Sequence, residues 1–149
     1  MLGSLIGPDP MEDGARVKAF VVTLADARDT FLEVADALAG KGANVTALSL
    51  LPGDPPRLGF TVDLEDAARL ALHQTPVDAE EYEVIELSLA NTPGSLALAA
   101  HALSDAGVPI RMLLTMRASL GRATDLIAVD DAEAARLVVR GLSEDVLLD

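Results

Sequence analysis

The chain repeats itself. Val62-Asp63-Leu64-Glu65-Asp66-Ala67-Ala68-Arg69-Leu70 aligns with Val129-Asp130-Asp131-Ala132-Glu133-Ala134-Ala135-Arg136-Leu137, identical at six of nine positions. Farther back, Leu24 matches Leu89, Leu38 matches Leu103, Gly42 matches Gly107 and Val45 matches Ile110, all at a spacing of 65. The spacing becomes 67 at the later motif, which places a two-residue insertion near residues 117–121, where a hairpin turn is expected. A chain of 149 residues made of two such copies must satisfy one fold twice. A unit of this size buries too little surface to be more than marginal alone, so the copies are expected to pack together.

Each copy reads in the same order. Apolar alternation predicts strands at Val17–Leu24 and Tyr82–Leu89, the second with Ile85, Leu87 and Leu89 on one face. Helical spacing then predicts Asp29–Gly40, with Phe31, Val34 and Leu38 inward, and Pro93–Ala106, with Leu96, Ala100 and Leu103 inward. Gly42 and Gly107 mark the helix stops. In the second strand of copy two, Val108, Ile110, Met112, Leu114 and Met116 share a face, with Arg111, Thr115 and Arg117 on the other. Turns at Pro52-Gly53-Asp54-Pro55-Pro56 and Ser119-Leu120-Gly121 lead to third strands that end at Val62 and Val129. Helices at Leu64–His73 and Asp131–Gly141 follow, then a short final segment. The order β-α-β-β-α-β, twice, is the split βαβ or ferredoxin-like unit. The expected class is therefore α+β: two ferredoxin-like units packed together, antiparallel sheets with helices on one face. Residues 1–15 are read as a flexible leader, 16–81 as the first domain and 82–149 as the second. In copy one, Thr46, Leu48 and Leu50 are expected on the face without helices, opposite Ala43, Val45 and Ala47. Apolar residues on both sides predict a sheet open to water on neither face.

Composition narrows the functional classes. The formal charge is −13 and both halves are acidic, with no Lys/Arg stripe, which disfavours nucleic-acid partners. There is no cysteine, hence no disulfide, thiol nucleophile or thiolate metal site. No run reaches the roughly 20 apolar residues of a membrane span, and the N-terminus lacks the pattern of a signal peptide. A cytoplasmic chain without a membrane partner is expected. Half the residues are apolar but only three Phe, one Tyr and no Trp occur, so an aliphatic core is expected. His73 and His101 lie far apart and form neither a metal cage nor a nucleophile–base pair; both read as surface residues. Asp125 shares the parity of Ile127 and Val129 and is expected near the wet end of a hairpin. Glu80-Glu81 and Asp130-Asp131 read as solvated turns or helix caps.

Asn91-Thr92-Pro93-Gly94-Ser95-Leu96 opens the first helix of copy two. Thr92 suits the N-cap and Pro93 the first helical position, which places Gly94 second and Ser95 third. Without a Cβ at 94, the free amides near residues 94–96 are open to an anion, a carboxylate or a phosphate, that the helix dipole favours. Asn91 and Thr92 offer acceptors for an ammonium group. A tight strand-to-helix connection that needs glycine explains the same residues without a ligand.

The stretch from Ile85 through Leu96, then Leu103-Ser104-Asp105-Ala106-Gly107-Val108-Pro109-Ile110, and Val129-Asp130-Asp131, resembles an ACT domain. The pattern is an apolar strand, a polar residue or two, Pro-Gly-small-Leu, a helix with a late Leu, Ala-Gly and an apolar strand. Copy two carries nearly all of it, while copy one keeps the spacing but not the loop. The resemblance implies a free-standing tandem ACT protein: regulatory, without catalysis or cofactor, that binds an amino acid where the first loop of one unit meets the second strand of a neighbour. Carried over by position, the ligand residues are Asn91, Thr92, Pro93, Gly94, Ser95 and Leu96, with Gly107, Val108 and Ile110 at the interface edge. Copy one lends strand residues Asn44, Val45 and Thr46. A homodimer and a regulated protein partner are implied as well. A ligand-free interaction module that acts as a regulatory subunit is the alternative. An acylphosphatase-like enzyme on the same fold needs a basic phosphate loop that these loops lack.

Copy one has Asp26-Ala27-Arg28-Asp29-Thr30-Phe31 in place of the loop. Asp29 in the first turn would satisfy the helix N-terminus itself and repel a carboxylate. Arg28 offers the opposite reading, a two-pronged hold on a ligand carboxylate. One competent site per chain, in copy two, is the expectation.

Overall fold

Val17–Thr23 is a run of β-branched and apolar residues with one lysine, and it forms the first strand, β1. The computed structural model describes residues 17–26 and 28–142; the expected leader and the last segment of copy two lie outside the described residues. After β1 come α1 (Asp29–Gly40), β2 (Val45–Leu51), β3 (Arg57–Val62), α2 (Glu65–His73), β4 (Asp78–Ala90), α3 (Ser95–Asp105), β5 (Ile110–Ser119), β6 (Arg122–Val129) and α4 (Ala132–Arg140). The class is α+β with two ferredoxin-like halves. By compactness the chain divides into Lys18–Tyr82 with Leu114–Met116, and Glu83–Leu113 with Val17 and Arg117 onward. No helix among the described residues is long and apolar enough to cross a membrane.

In the first unit the strands follow the order β2-β3-β1, with β3 antiparallel to both neighbours. In the second the order is β4-β6-β5, with β4 and β6 antiparallel. Registers correspond across the repeat: Phe20 faces Phe60 in one unit, and their counterparts Ile85 and Ile127 face each other in the other. Each pair sits under two helices. In the first unit Val34, Leu38, Ala68, Ala71 and Leu72 cover Phe20, Val22, Leu58 and Phe60. In the second Ala99, Leu103, Ala132 and Ala135 cover Ile85, Leu87, Ile127 and Val129. The second core is aliphatic, as expected. The first is not, because Phe20 and Phe60 stack with ring centroids 5.6 Å apart. On the opposite sheet face Ala19, Val21, Thr61, Val84, Leu126 and Ala128 are buried too, as the two-sided apolar pattern requires.

Two further sequence expectations change in the strands. The final strand of copy one and the first strand of copy two are a single 13-residue strand, β4, rather than separate elements. Nothing between Asp78 and Ala90 is Gly, Pro or Asn, so no residue stops the strand. The faces of β2 are also exchanged. Leu48 pairs with Phe60 and Leu50 with Leu58, so both lie on the helix-covered side rather than the bare one. They stay about half exposed because β2 is an edge strand. An irregularity between Val45 and Ala47 shifts the register by which parity is counted.

The helix stops behave as read. Gly107 has φ +72°, and the amides of Gly107 and Val108 bond back to Ser104 and Leu103 at 3.0 and 2.9 Å. Gly42 and Ala43 bond to Ala39 and Leu38 in the same way. Both are Schellman closures, in which a left-handed residue lets the chain satisfy its last carbonyls.

Truncating Phe60 to Ala should cost roughly 3–5 kcal/mol in urea denaturation, the range for a buried Phe. Phe60→Ile, the residue that copy two uses at this place, should avoid most of that loss.

Candidate ligand site at the two helix starts

The first loop of copy two is a turn before it is a helix. Thr92 accepts a hydrogen bond from the amide of Ser95 at 3.3 Å, with Pro93 and Gly94 between them. Gly94 has φ +93° and ψ −17°. Pro second, a left-handed Gly third and the closing bond match a type II β-turn. Gly94 is thus the residue that caps α3, not its second residue, and the helix starts at Ser95. The glycine is explained by backbone sign: any other residue there is strained, although a Cβ would meet nothing within 4 Å. The Pro-Gly dipeptide was the signal that identifies this turn.

The surroundings of α3 are open. No side chain caps the helix, and the amides of Leu96 and Ala97 have no acceptor among the described residues. The Thr92 and Ser95 hydroxyls bond each other at 2.9 Å, and Ser95 is buried. Asn91 points away: its amide side chain donates to the Ser119 carbonyl at 2.6 Å, and its backbone N–H to the Gly121 carbonyl at 3.1 Å. This ties the loop to the β5–β6 hairpin. Leu96, expected inward, is half exposed, because with the helix starting at Ser95 the face that α3 buries is Ser95, Ala99 and Leu103.

Copy one starts its helix differently. The Asp26 carboxylate accepts the amides of Arg28 and Asp29, each at 2.9 Å, and the Thr30 hydroxyl accepts the Asp26 amide at 3.2 Å. The acid that satisfies this N-terminus is therefore Asp26, not Asp29 as expected. Asp29, the first helical residue, turns to the Arg28 side chain at 3.3 Å. Asp26 precedes the helix, from where a short side chain reaches back-turned amides.

The remaining expected site residues are elsewhere. Gly107, Val108 and Ile110 share one shallow cleft with Ala100, Ser104 and Pro109. It lies at the far end of α3, 11 residues from its start, or about 16 Å at the usual rise. Within one unit the structure does not bring that trio to Gly94. Asn44 and Thr46 already have partners: the Asn44 backbone N–H donates to Asp63 at 2.8 Å, and the Thr46 and Thr61 hydroxyls meet at 2.8 Å. Val45 is partly exposed on the β2 edge opposite Val62. Asp125 is 4% exposed, not wet, because β6 pairs it with Leu87 inside the sheet. His73 and His101 are exposed. No group of three or more metal-ligating side chains gathers among the described residues.

Two ion pairs tie strands to neighbouring elements. Arg111 holds Asp130 at 2.5 Å and lowers its carboxyl from the usual aspartate value, chiefly through that hydrogen bond. Glu81, expected in a solvated turn, lies instead in β4 and accepts Arg69 Nε and Nη2. Arg69 also donates to Asp66 at 2.7 Å, and its guanidinium is held more firmly protonated, chiefly by Glu81. The Glu81 carboxyl is in turn lowered from the ordinary glutamate range, chiefly by the Arg69 hydrogen bonds, with burial opposing. Asp131 is the helix cap that the sequence suggested, accepting the Ala134 amide at 3.1 Å.

The arrangement of strands, helices and loops recurs in known structures. A protein from Bacteroides thetaiotaomicron superposes with a TM-score of 0.70 at 24% identity, over 90% of this chain and 92% of that one. The regulatory subunit of aspartate kinase from Thermus thermophilus, in its ligand-free form, gives 0.60 at 22% identity, over 84% and 89%. The corresponding subunit from Thermus flavus gives 0.60 at 23%, over 84% and 90%. The fold is that of a two-unit ACT region. No protein-family model and no curated protein matches the sequence. At these identities the likeness to the ACT structures is one of fold.

Replacing Asp26 with Ala should cost about 1 kcal/mol of unfolding free energy, the usual value of such a cap. Replacing Glu81 with Gln should alter the acid limb of stability. A carboxyl lowered in the folded state adds stability above its unfolded value, about pH 4.3, and loses it as pH falls through the folded value. Stability of Glu81→Gln measured in urea should therefore fall less steeply with acid than that of the parent.

Proposed function

We propose that this chain is a non-catalytic ACT-type regulatory protein that binds a small amino acid at the start of α3. The reading rests on the contrast between the two helix starts. In copy one a resident carboxylate, Asp26, occupies the amides. In copy two those positions carry no carboxylate, the turn leaves open space at Gly94, and the helix dipole favours an anion there. A ligand carboxylate would meet the open amides of Leu96 and Ala97 at α3, since Pro93, the counterpart of Arg28, has no N–H to offer. Its ammonium group would meet the Thr92 region, and the cleft of Gly107, Val108 and Ile110 from another unit would close over it. That distance across α3 makes a second copy of the chain part of the site, in keeping with a homodimer. Fold likeness to aspartate kinase regulatory subunits supports a role beside a separate catalytic partner.

A second reading has its own observation. The β2 edge, Val45–Leu51, carries no charge in a chain of net charge −13, and Leu48, Leu50 and Leu51 are about half exposed. An uncharged apolar edge suits a protein partner without any ligand.

A thermal-shift screen of the common amino acids separates the two. At a hundredfold excess over Kd a bound amino acid stabilises by about 2.7 kcal/mol, a clear rise in Tm. Asn91→Asp places a carboxylate at the position of Asp26, and it should keep the fold while removing the part of that rise that binding at α3 contributes. No rise with any amino acid would overturn the ligand reading and favour the second. On that reading, Leu50→Lys should shift sedimentation toward a smaller species.

A further inference from the structure

The first unit contains a cavity that the repeat does not explain. It measures about 220 Å³ and opens between the end of α2 and the start of β4. Phe20, Leu72 and Val77 give it an apolar floor, and Arg69 and Glu81 stand on its rim. Pockets for drug-sized ligands run from about 300 Å³ upward, so this one fits a molecule of only a few heavy atoms.

The rim selects by charge. Arg69 Nε lies 3.1 and 3.0 Å from the two Glu81 oxygens, and both side chains are 35% exposed, within reach of a solute. A lone carboxylate that displaced Glu81 from Arg69 would strand an acid above apolar walls. A lone amine that drew Glu81 away would strand the guanidinium. Leaving either charge without its partner is unfavourable. A molecule that carries both charges on adjacent groups exchanges the two partners at once: its carboxylate takes Arg69 and its ammonium takes Glu81. Asp66 holds Arg69 from its other side at 2.7 Å, so the guanidinium stays in place during the exchange. A zwitterion also brings no net charge into a chain of −13, whose field repels simple anions. We propose that the Arg69–Glu81 cavity is a binding site for a small zwitterion with a short apolar side chain. It shares no residue with the α3 start and does not depend on the reading of that loop.

The test is amide-shift mapping by NMR on the ¹⁵N-labelled full chain, with L-alanine, L-valine and L-leucine as probes and isovalerate and isobutylamine as half-charged controls. The expected result is saturable movement of the Thr75, Val77, Ala79 and Glu81 amides and of Arg69 Nε–H with at least one amino acid, and none with the controls. The double variant Arg69→Met/Glu81→Met, which strands no charge, should weaken that binding about tenfold or more. Should the variant not fold, mapping on the parent still decides. Absence of movement at these positions with all three amino acids overturns the proposal, as does equal movement with a control. Movement confined to residues 94–97 also overturns it, while supporting the α3 reading. The Asn91→Asp variant should leave the cavity response intact, so that failure of one site is distinguishable from failure of the other.

Discussion

Everything in each unit hangs on one antiparallel pair of strands, β1 with β3 and β4 with β6. Side chains alternate along a strand, so register decides which residues meet the helices. A slip by one residue would turn Phe20 and Phe60, or Ile85 and Ile127, away from the helices and put Val21 or Glu86 in their place. The helices fix that choice from above: Leu38 and Leu103, each closed by a left-handed glycine just beyond, press on the paired residues. The two copies fill the same space with different volumes, an aromatic stack in one and a branched aliphatic pair in the other. In both copies small helix residues face the paired strands, Ala68 and Ala71 in one and Ala132 and Ala135 in the other.

With the cores equivalent, the difference between the copies lies in how the first helix begins. One start is an acid that folds back on its own amides, the other a Pro-Gly turn that delivers the chain to the helix and leaves the amides open. Both solve the same geometric problem, the passage from strand to helix. They differ in the sign of what they present: copy one has a negative charge on the positive end of α1, and copy two has none on α3.

The fold was legible because its signals are periodic and come twice. The helices, the glycine stops at 42 and 107 and the hairpin at Leu120-Gly121 follow from residue pattern alone. What was not legible depended on pairing. The parity of Leu48 and Leu50 reverses through one irregularity in β2, and no local pattern announces it. Asp125 looks like a hairpin-end residue until β4 is seen to extend alongside it. The Arg69–Glu81 pair joins residues 12 apart on different elements. Its arginine stood in the repeated Ala-Ala-Arg-Leu motif, but its glutamate looked like part of a solvated turn. Gly94 was found but misassigned, because a costly glycine in a helix and an easy one in a type II turn share the same two letters.

The acidity of the chain constrains any ligand more than either pocket does. A free carboxylate approaching a protein of net charge −13 is opposed before it reaches any amide. That opposition scales linearly with the ligand's own net charge, so a molecule that pairs its carboxylate with an ammonium group escapes it while keeping a local negative end. The helix dipole acts on that local end over the first turn only, and the Arg69–Glu81 pair acts over hydrogen-bond distance. Long-range repulsion and short-range attraction therefore agree on the same class of molecule at two unrelated places in the fold. For an anion such as phosphate the two would conflict, and at the cavity Arg69 is already engaged by Glu81 and Asp66.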